Sequence, residues 1–305
     1  MLKPPDLDPR AVARQFARRA RRPGDADFLL REVEHRMLER LDLVRIEPQV
    51  LLDVGCGSGQ GVAALMQRFA RARALGVDLS PAMAAAARGL HRRTGSIARR
   101  LQRMLSFSAA TPAEALFCAA DAARLPLAPA SVDLLWSNLA WHWLVDPPAA
   151  AAEWYRVIRP QGLLMFSSFG VDTLRELRAI GAPLPEFPDL HDIGDLLGQT
   201  GFAQPVLDTE RLSVTWREPQ RLLADLHRLG GNALRGRRRG LTPRSAHRRW
   251  LQALEALRRP DGLIELSFEI VHVHAWCPQR KRNIDGSLPI EWLPSRRSIG
   301  QEQQK

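Results

Sequence analysis

The chain is short of the residues on which several protein classes depend. Cysteine occurs three times in 305 residues, at Cys56, Cys118 and Cys277. None has a partner at a paired spacing, so neither a disulfide framework nor a zinc motif follows, and no metal is expected. Tyrosine occurs once, at Tyr155, and aromatic residues make up only 6% of the chain. No aromatic-rich RNA-binding module therefore accompanies the basic clusters, and no nucleic-acid partner is expected. No secretory apolar core opens the sequence and no apolar run is long enough to span a bilayer. The expectation is a cytoplasmic, monomeric protein without a membrane partner. Lysine is scarce as well, yet Lys and Arg together number 44 against 33 acids, a net charge of +11. That excess, almost all arginine, fits either an acidic partner or an arginine-rich proteome. A hydrophobic content of 45% suffices for one large α/β domain with additions.

The most informative stretch is residues 50–59, VLLDVGCGSG. Its first five residues are apolar except Asp53, the habit of a strand buried on both faces in a parallel sheet. Gly55, Gly57 and Gly59 then alternate with small residues before a helical pattern of Val62, Leu65, Met66 and Phe69. Strand, glycine turn and helix make half of a nucleotide-binding βαβ unit. The dinucleotide fingerprint requires glycine at the sixth place, where this chain has Gln60. The pattern Asp-x-Gly-x-Gly-x-Gly instead resembles the cofactor loop of class I S-adenosylmethionine-dependent methyltransferases, whose ligand carries no phosphate. A carboxylate such as Asp53 can serve the amino-acid end of that ligand.

Further strand ends follow in order. Residues 74–77 end at Asp78 and Leu79, about 20 positions beyond the loop, where an acid can accept from both ribose hydroxyls; a helix N-cap region is the competing use of Asp78. Residues 117–120 lead to Asp121 and Ala122, a pair that in this superfamily grips the adenine edge. Residues 132–136 end at Ser137 and Asn138, and residues 163–169 make a fifth strand. The expected fold is α/β, a doubly wound, mostly parallel, Rossmann-like sheet. Residues 1–48 read as an N-terminal helical lid and 49–278 as the catalytic domain. A basic helical excursion over 217–260 precedes the last strand, residues 264–276, and residues 279–305 read as a polar, disordered tail. The stretch 92–103 reads as an inserted loop or short helix. Cys56, inside the loop, has no activating base in sight and reads as a small hydrophobe.

Several segments together resemble one family, the malonyl-acyl carrier protein O-methyltransferases of biotin synthesis. FLLREVEHRMLERL resembles its first helix, and SNLAWHWLVDPPAA and EWYRVIRPQGLLMFSSFGVDTLREL its fourth and fifth strand regions. HDIGDLLGQTGFAQPVLDTERLSVTW and LLADLHRLGGNALRGRRRGLTPR resemble its C-terminal half. The likeness runs over residues 9–277. The chain departs from the family pattern in lacking a lid tyrosine near residues 25–28, so no role for one carries over. The resemblance implies S-adenosylmethionine as cofactor, malonyl-loaded acyl carrier protein as partner, and methyl transfer to a carboxylate that needs no general base. No catalytic proton-transfer residue is assigned. Arg175 is the candidate for the malonyl end, with Arg178 beside it. Trp143, with Trp141, either walls the pocket or packs in the core. Arg237, Arg238 and Arg239 are candidates for docking the carrier. The same fold serves other acceptors, such as a quinone precursor or a protein arginine in respiratory-complex assembly.

Overall fold

The protein was described from a computed structural model, which describes residues 6–20, 27–105 (backbone only for 94–105), 115–229, 233–236, 240 and 243–279. Seven strands form one sheet: β1 (Val50–Val54), β2 (Arg73–Asp78), β3 (Ala115–Ala119), β4 (Val132–Ser137), β5 (Ile158–Phe169), β6 (Ala203–Trp216) and β7 (Ile264–Trp276). Their order is β3-β2-β1-β4-β5-β7-β6. The first five are parallel, and β7 runs antiparallel to both β5 and β6. The chain starts in the middle of the sheet, builds outward to β3, then returns to the other side of β1 at β4. The sheet is doubly wound and mostly parallel.

Alternation along the strands divides the core into two layers. Leu51, Leu134, Trp136, Met165 and Phe268 face one side; Leu52, Leu135, Leu164, Phe166 and Val273 face the other. Helices cover both sides because a parallel sheet buries both faces. On the second face lie α5 (Pro147–Val157) and α7 (Leu190–Thr200), which contribute Ala150, Trp154, Ile193 and Leu197. Both starts are dictated locally. Asp146 accepts from the Ala149 N–H at 3.0 Å ahead of Pro147, and Asp189 accepts from the His191 N–H at 2.8 Å, satisfying helical donors that lack internal partners.

The first face is covered by α2 (Phe28–Asp42), α3 (Gln60–Arg68), α4 (Pro81–Leu105), the short α6 (Arg175–Ala179), α8 (Pro219–Leu229) and α9 (Arg244–Glu255). Leu29, Val33, Met37 and Leu41 recur every four residues along α2, and all four are buried in that core. Arg36 and Arg40 on the same helix pair with Glu210 and Asp208 of β6. The remaining helix, α1 (Pro9–Ala20), belongs to a separate small cluster of Leu7, Ala11, Val12 and Ala233, with Phe16 and Trp143 against it. Its approach is pinned by main-chain bonds from Asp8 to Ala233 and from Arg235 to Asp6, and by the Arg235 guanidinium donating to the Leu7 carbonyl. A segment of the β6–β7 connection thus holds the first helix.

One expected boundary changes. Of the two forms expected for the stretch 92–103, loop or short helix, it is helical, but as the continuation of α4, which runs 25 residues from Pro81, and not as a separate short element. Proline suits a first helical position, and the alanines, leucines and arginines that follow are strong helix formers. Residues 280–305, read as a disordered tail, lie outside the described residues.

Candidate active site

A cavity of about 470 Å³ opens at the carboxyl ends of the strands, where their order reverses between β1 and β4. This is the usual crevice for a ligand in an open α/β sheet. Its lining includes Asp53 to Ser58 after β1, Val77 to Leu79 after β2, Asp121 and Ala122 after β3, Asn138 to Ala140 after β4, and Phe169 at the end of β5. Val12, Phe16 and Arg19 of α1 close it from above the strand ends.

The glycine loop is drawn against β2. The N–H groups of Gly55 and Cys56 both donate to the Val77 carbonyl, at 2.8 and 3.0 Å. The Gly57 N–H donates to Asp78 Oδ2 at 3.0 Å, and Asp78 Oδ1 accepts from Ser80 N–H at 2.8 Å. Two of the glycines do different work. A Cβ on Gly55 would stand 2.4 Å from the Ala140 side chain, so its smallness lets the β1 and β4 turns touch. Gly57 has φ +52 and no atom within 4 Å of such a Cβ; its open side faces the cavity and leaves the backbone bare for a ligand.

The acids gather on the same side. Asp53 is 4% exposed and Glu34, from α2, is 9% exposed. Both carboxylates flank Gly61, where an added Cβ would lie 2.8 Å from Asp53 Oδ2 and 3.3 Å from Glu34 Oε1. Glu34 Oε1 has no hydrogen-bond partner among the described residues. Burial pushes Glu34 up to about 7. Burial, and then the charges of Glu34 and Asp78, push Asp53 well above the usual carboxylate range. Asp78 is raised by burial, against the pull of the two N–H groups it accepts and of Arg19. A buried carboxylate oxygen without a partner, with Asp53 beside it on the cavity wall, suits a cation. Glu34 escaped the sequence reading because it sits one position after Val33 in a helix whose apolar stripe explains the fold without it. Nothing in the sequence says that the first half of α2 packs beside the loop.

The other expected ligand positions line the same cavity. Leu79 is 40% exposed despite its size, as expected for a side chain that meets a ligand. Ala122 lines the wall while its carbonyl accepts from the Trp154 indole at 3.2 Å, and Asp121 Oδ1 accepts from the Ala123 N–H at 2.9 Å. Asn138 also lines the cavity, but its amide is engaged. It donates to the Leu30 carbonyl and accepts from Ser167 Oγ, both at 2.9 Å, tying α2 to β5. Gly59 is the exception: it does not line the cavity but caps α3, with its carbonyl 2.9 Å from His91 Nε2.

The acceptor candidates separate. Trp143 lines the cavity and meets Phe16 of α1 edge-on at 5.5 Å. Trp141, two residues earlier, is buried in the core, stacked on Phe166 at 4.7 Å. Arg175 is placed elsewhere: it is exposed, lies at the start of α6, and pairs with Glu176 at 3.3 Å instead of lining the cavity. Leu174, with φ +57, starts that helix and turns it outward. Among the described residues the cation lining the cavity is Arg19, paired with Asp27 at 2.5 Å. The spacing in α1 held no signal for this, since several arginines share the helix. Arg237, Arg238 and Arg239 lie outside the described residues; nearby, Arg244, Arg248 and Arg249 are exposed on α9. Cys56 is buried with its thiol pushed up by burial, which leaves it inert as a nucleophile. Tyr155 packs on Phe202 at 5.2 Å, not in the cavity.

His142 was not singled out in the sequence. It occupies the 3-10 turn 141–143 and is 8% exposed. It stacks on Phe169 at 4.4 Å and lines the cavity. Burial pulls it down to about 3, so the imidazole is neutral. The cavity is therefore acidic toward β1 and β2, and largely apolar toward β4, β5 and α1.

Comparison with known proteins follows the same division between core and additions. Residues 52–166 match the methyltransferase-domain family. The chain is 40% identical over 296 residues to the malonyl-acyl-carrier protein O-methyltransferase of Methylovorus sp., covering 94% of this chain and 96% of that protein. It is 41% identical over 297 residues to the protein of the same name in Laribacter hongkongensis, with coverage of 94% and 96%. Among solved structures it is similar to the YcgJ protein of Bacillus subtilis, with a TM-score of 0.57 and 16% identity over 80% of this chain and 99% of that one. It is also similar to the (4+2)-cyclase SpnF, with a TM-score of 0.50 and 20% identity over 81% of each chain. At such identities the likeness is one of fold alone, and a cyclase on this fold shows that chemistry resides in the site.

Proposed function

The chain belongs to the malonyl-acyl-carrier protein O-methyltransferase family, and from that membership we propose that it methylates the free carboxylate of malonyl-acyl carrier protein, giving the ester that primes biotin synthesis. The observation that carries the reading is identity of about two residues in five across 94% of the chain. It extends beyond the shared methyltransferase core at 52–166 into the segments that roof the cavity. No observation favours a quinone precursor or a protein arginine as acceptor.

S-adenosylmethionine, the cofactor, supplies a methyl group on a positively charged sulfur beside an ammonium and an adenosine. The residues fit it. Gly57 leaves its face of the cavity open, and the unpartnered Glu34 oxygen with Asp53 suits the ammonium end. Asp78, already braced on the loop, would accept from the ribose hydroxyls, and Leu79, Asp121 and Ala122, which line the same cavity, would border the adenine. The malonyl carboxylate is ionised well below neutrality. It needs placement and exclusion of water, not a base. When bound, the cofactor would supply the methyl group to a carboxylate oxygen and keep the electron pair of its sulfur–carbon bond, so no residue need move a proton. Phe16, Trp143 and α1 keep water out, and Arg19 replaces Arg175 as the cation for the acceptor. The exposed Arg244, Arg248 and Arg249 of α9 offer positive charge to an acidic carrier protein, and Arg237, Arg238 and Arg239, close by in sequence, carry the same charge. The enzyme acts as a cytoplasmic monomer and takes no nucleic acid.

Incubation of the purified chain with labelled S-adenosylmethionine and malonyl-acyl carrier protein tests the proposal. The malonyl carrier should gain one methyl mass, acetyl-acyl carrier protein should gain none, and the gene should restore growth to a biotin auxotroph lacking this step. A malonyl carrier that stays unmethylated while another acceptor is modified would overturn it.

A further inference from the structure

The acidic half of the cavity accounts for the cofactor, but the proposed function leaves His142 without a task. This imidazole is held unusually firmly for a cavity side chain. The Phe169 N–H donates to its Nδ1 at 3.3 Å. Its ring stacks on Phe169 at 28° between planes, with Phe187 edge-on at 5.8 Å and Trp143 tilted at 5.2 Å. A backbone N–H pointing at Nδ1 requires a lone pair there, so the single ring proton resides on Nε2. Among the described residues Nε2 has no hydrogen-bond partner, and it is absent from the fully enclosed atoms that lack one. The ring therefore presents an N–H donor to the cavity that it lines.

The turn that carries it is built to bring it there. Leu139 takes φ +50, a left-handed conformation that disfavours a leucine. Its N–H is held by Ser167 Oγ at 2.9 Å. Ala140 abuts Gly55 of the cofactor loop, where only a glycine fits. The chain then doubles back so that His142 reaches Phe169. The donor accordingly stands next to the loop on the apolar side, where the cationic sulfur would meet its acceptor.

Building on the proposed function, we infer that His142 is a substrate-binding residue whose Nε2–H donates to the malonyl carboxylate and orients it toward the methyl group. An uncharged donor suits this task. A full positive charge in contact with the carboxylate would stabilise the nucleophile before reaction and leave it less reactive, whereas a neutral N–H fixes direction at smaller cost. Arg19, already paired with Asp27, can then attract the acceptor without neutralising it.

The test uses the full chain and two substitutions. His142→Phe keeps the stacked ring and removes the N–H; His142→Gln keeps an uncharged N–H donor. S-adenosylhomocysteine affinity, measured by calorimetry, should stay within about twofold in both, since neither touches the acidic half. Loss of a hydrogen bond to a charged group predicts a fall of roughly 10–100-fold in kcat/KM for malonyl-acyl carrier protein with His142→Phe. His142→Gln should recover to within about fivefold of the wild type. Full activity in His142→Phe would overturn the assignment, as would equal losses in both variants with cofactor affinity intact. If the phenylalanine variant loses S-adenosylhomocysteine binding, His142→Leu is scored by the same criteria. Wild-type turnover of malonyl-acyl carrier protein, run alongside, tests the acceptor by itself: an inactive wild type refutes both readings, whereas an active wild type with an indifferent position 142 refutes only this one.

Discussion

Replacing Glu34 by glutamine should stabilise the cofactor-free protein at alkaline pH while weakening its hold on S-adenosylmethionine. Glu34 is buried beside Asp53, one of its oxygens has no partner, and burial raises it from 4.5 to about 7. A carboxyl whose native pKa lies above its unfolded value binds more protons when folded. Its contribution is therefore fully present below about pH 4.5 and is lost as pH rises through about 7. A displacement of that size corresponds to at most about 3 kcal/mol. Glutamine is neutral at every pH and also relieves the repulsion that Glu34 exerts on Asp53. Thermal unfolding of wild type and Glu34→Gln between pH 4 and 8, without cofactor, should give curves that coincide at the acid end and diverge toward pH 8. At about 2–4 °C per kcal/mol, the variant should melt roughly 5–10 °C higher there. Calorimetry should show the opposite order for binding, with S-adenosylmethionine about tenfold or more weaker for the variant, as when a hydrogen bond to a charged group is lost. Parallel melting curves across the whole range would refute the placement of a strained carboxylate at this position.

Other outcomes follow from the same geometry. Gly57→Val should abolish cofactor binding by calorimetry; its Cβ meets nothing within 4 Å, so it clashes with no neighbour, but φ +52 strains a β-branched residue there and should also lower the melting temperature. Gly55→Ala, 2.4 Å from Ala140, should lower the melting temperature itself. Arg19→Ala should raise KM for malonyl-acyl carrier protein, whereas Arg175→Ala, outside the cavity, should not; steady-state kinetics on the two variants would show equal effects if the cavity assignment is wrong. Reversing Arg237, Arg238 and Arg239 to glutamate should raise KM for the carrier-bound substrate, most at low salt, and leave a small malonyl thioester unaffected. Equal losses with both substrates would make the cluster structural.

The sheet was legible because each of its first strands is a short apolar run that ends at a polar or acidic residue, and the glycine spacing ruled out a dinucleotide loop at Gln60. Asp53, Gly57, Asp78, Leu79, Asp121, Ala122 and Asn138 line one cavity for the same reason: all sit next to a strand end, and strand ends converge in this topology. Local signals of that kind carry their own geometry. What they could not carry was the meeting of segments far apart in the chain. Glu34 belongs to the site because α2 packs back onto the sheet beside the loop, 27 positions before Gly61. Arg19, not Arg175, lines the cavity because α1 is pinned over it by residues 233–235, while Arg175 follows a left-handed Leu174 on the exposed side of α6. Trp141 and Trp143 are identical in type and two residues apart, yet one fills the core and the other faces the cavity, since a 3-10 turn sends them in different directions. His142, between them, acquires a fixed tautomer only from the Phe169 N–H of another strand. The sequence by itself determined the fold and the cofactor side, through periodicity and spacing. The acceptor side was decided by tertiary structure, because a helix roof, a strained turn and a neighbouring strand's backbone must come together before any of its side chains has a role.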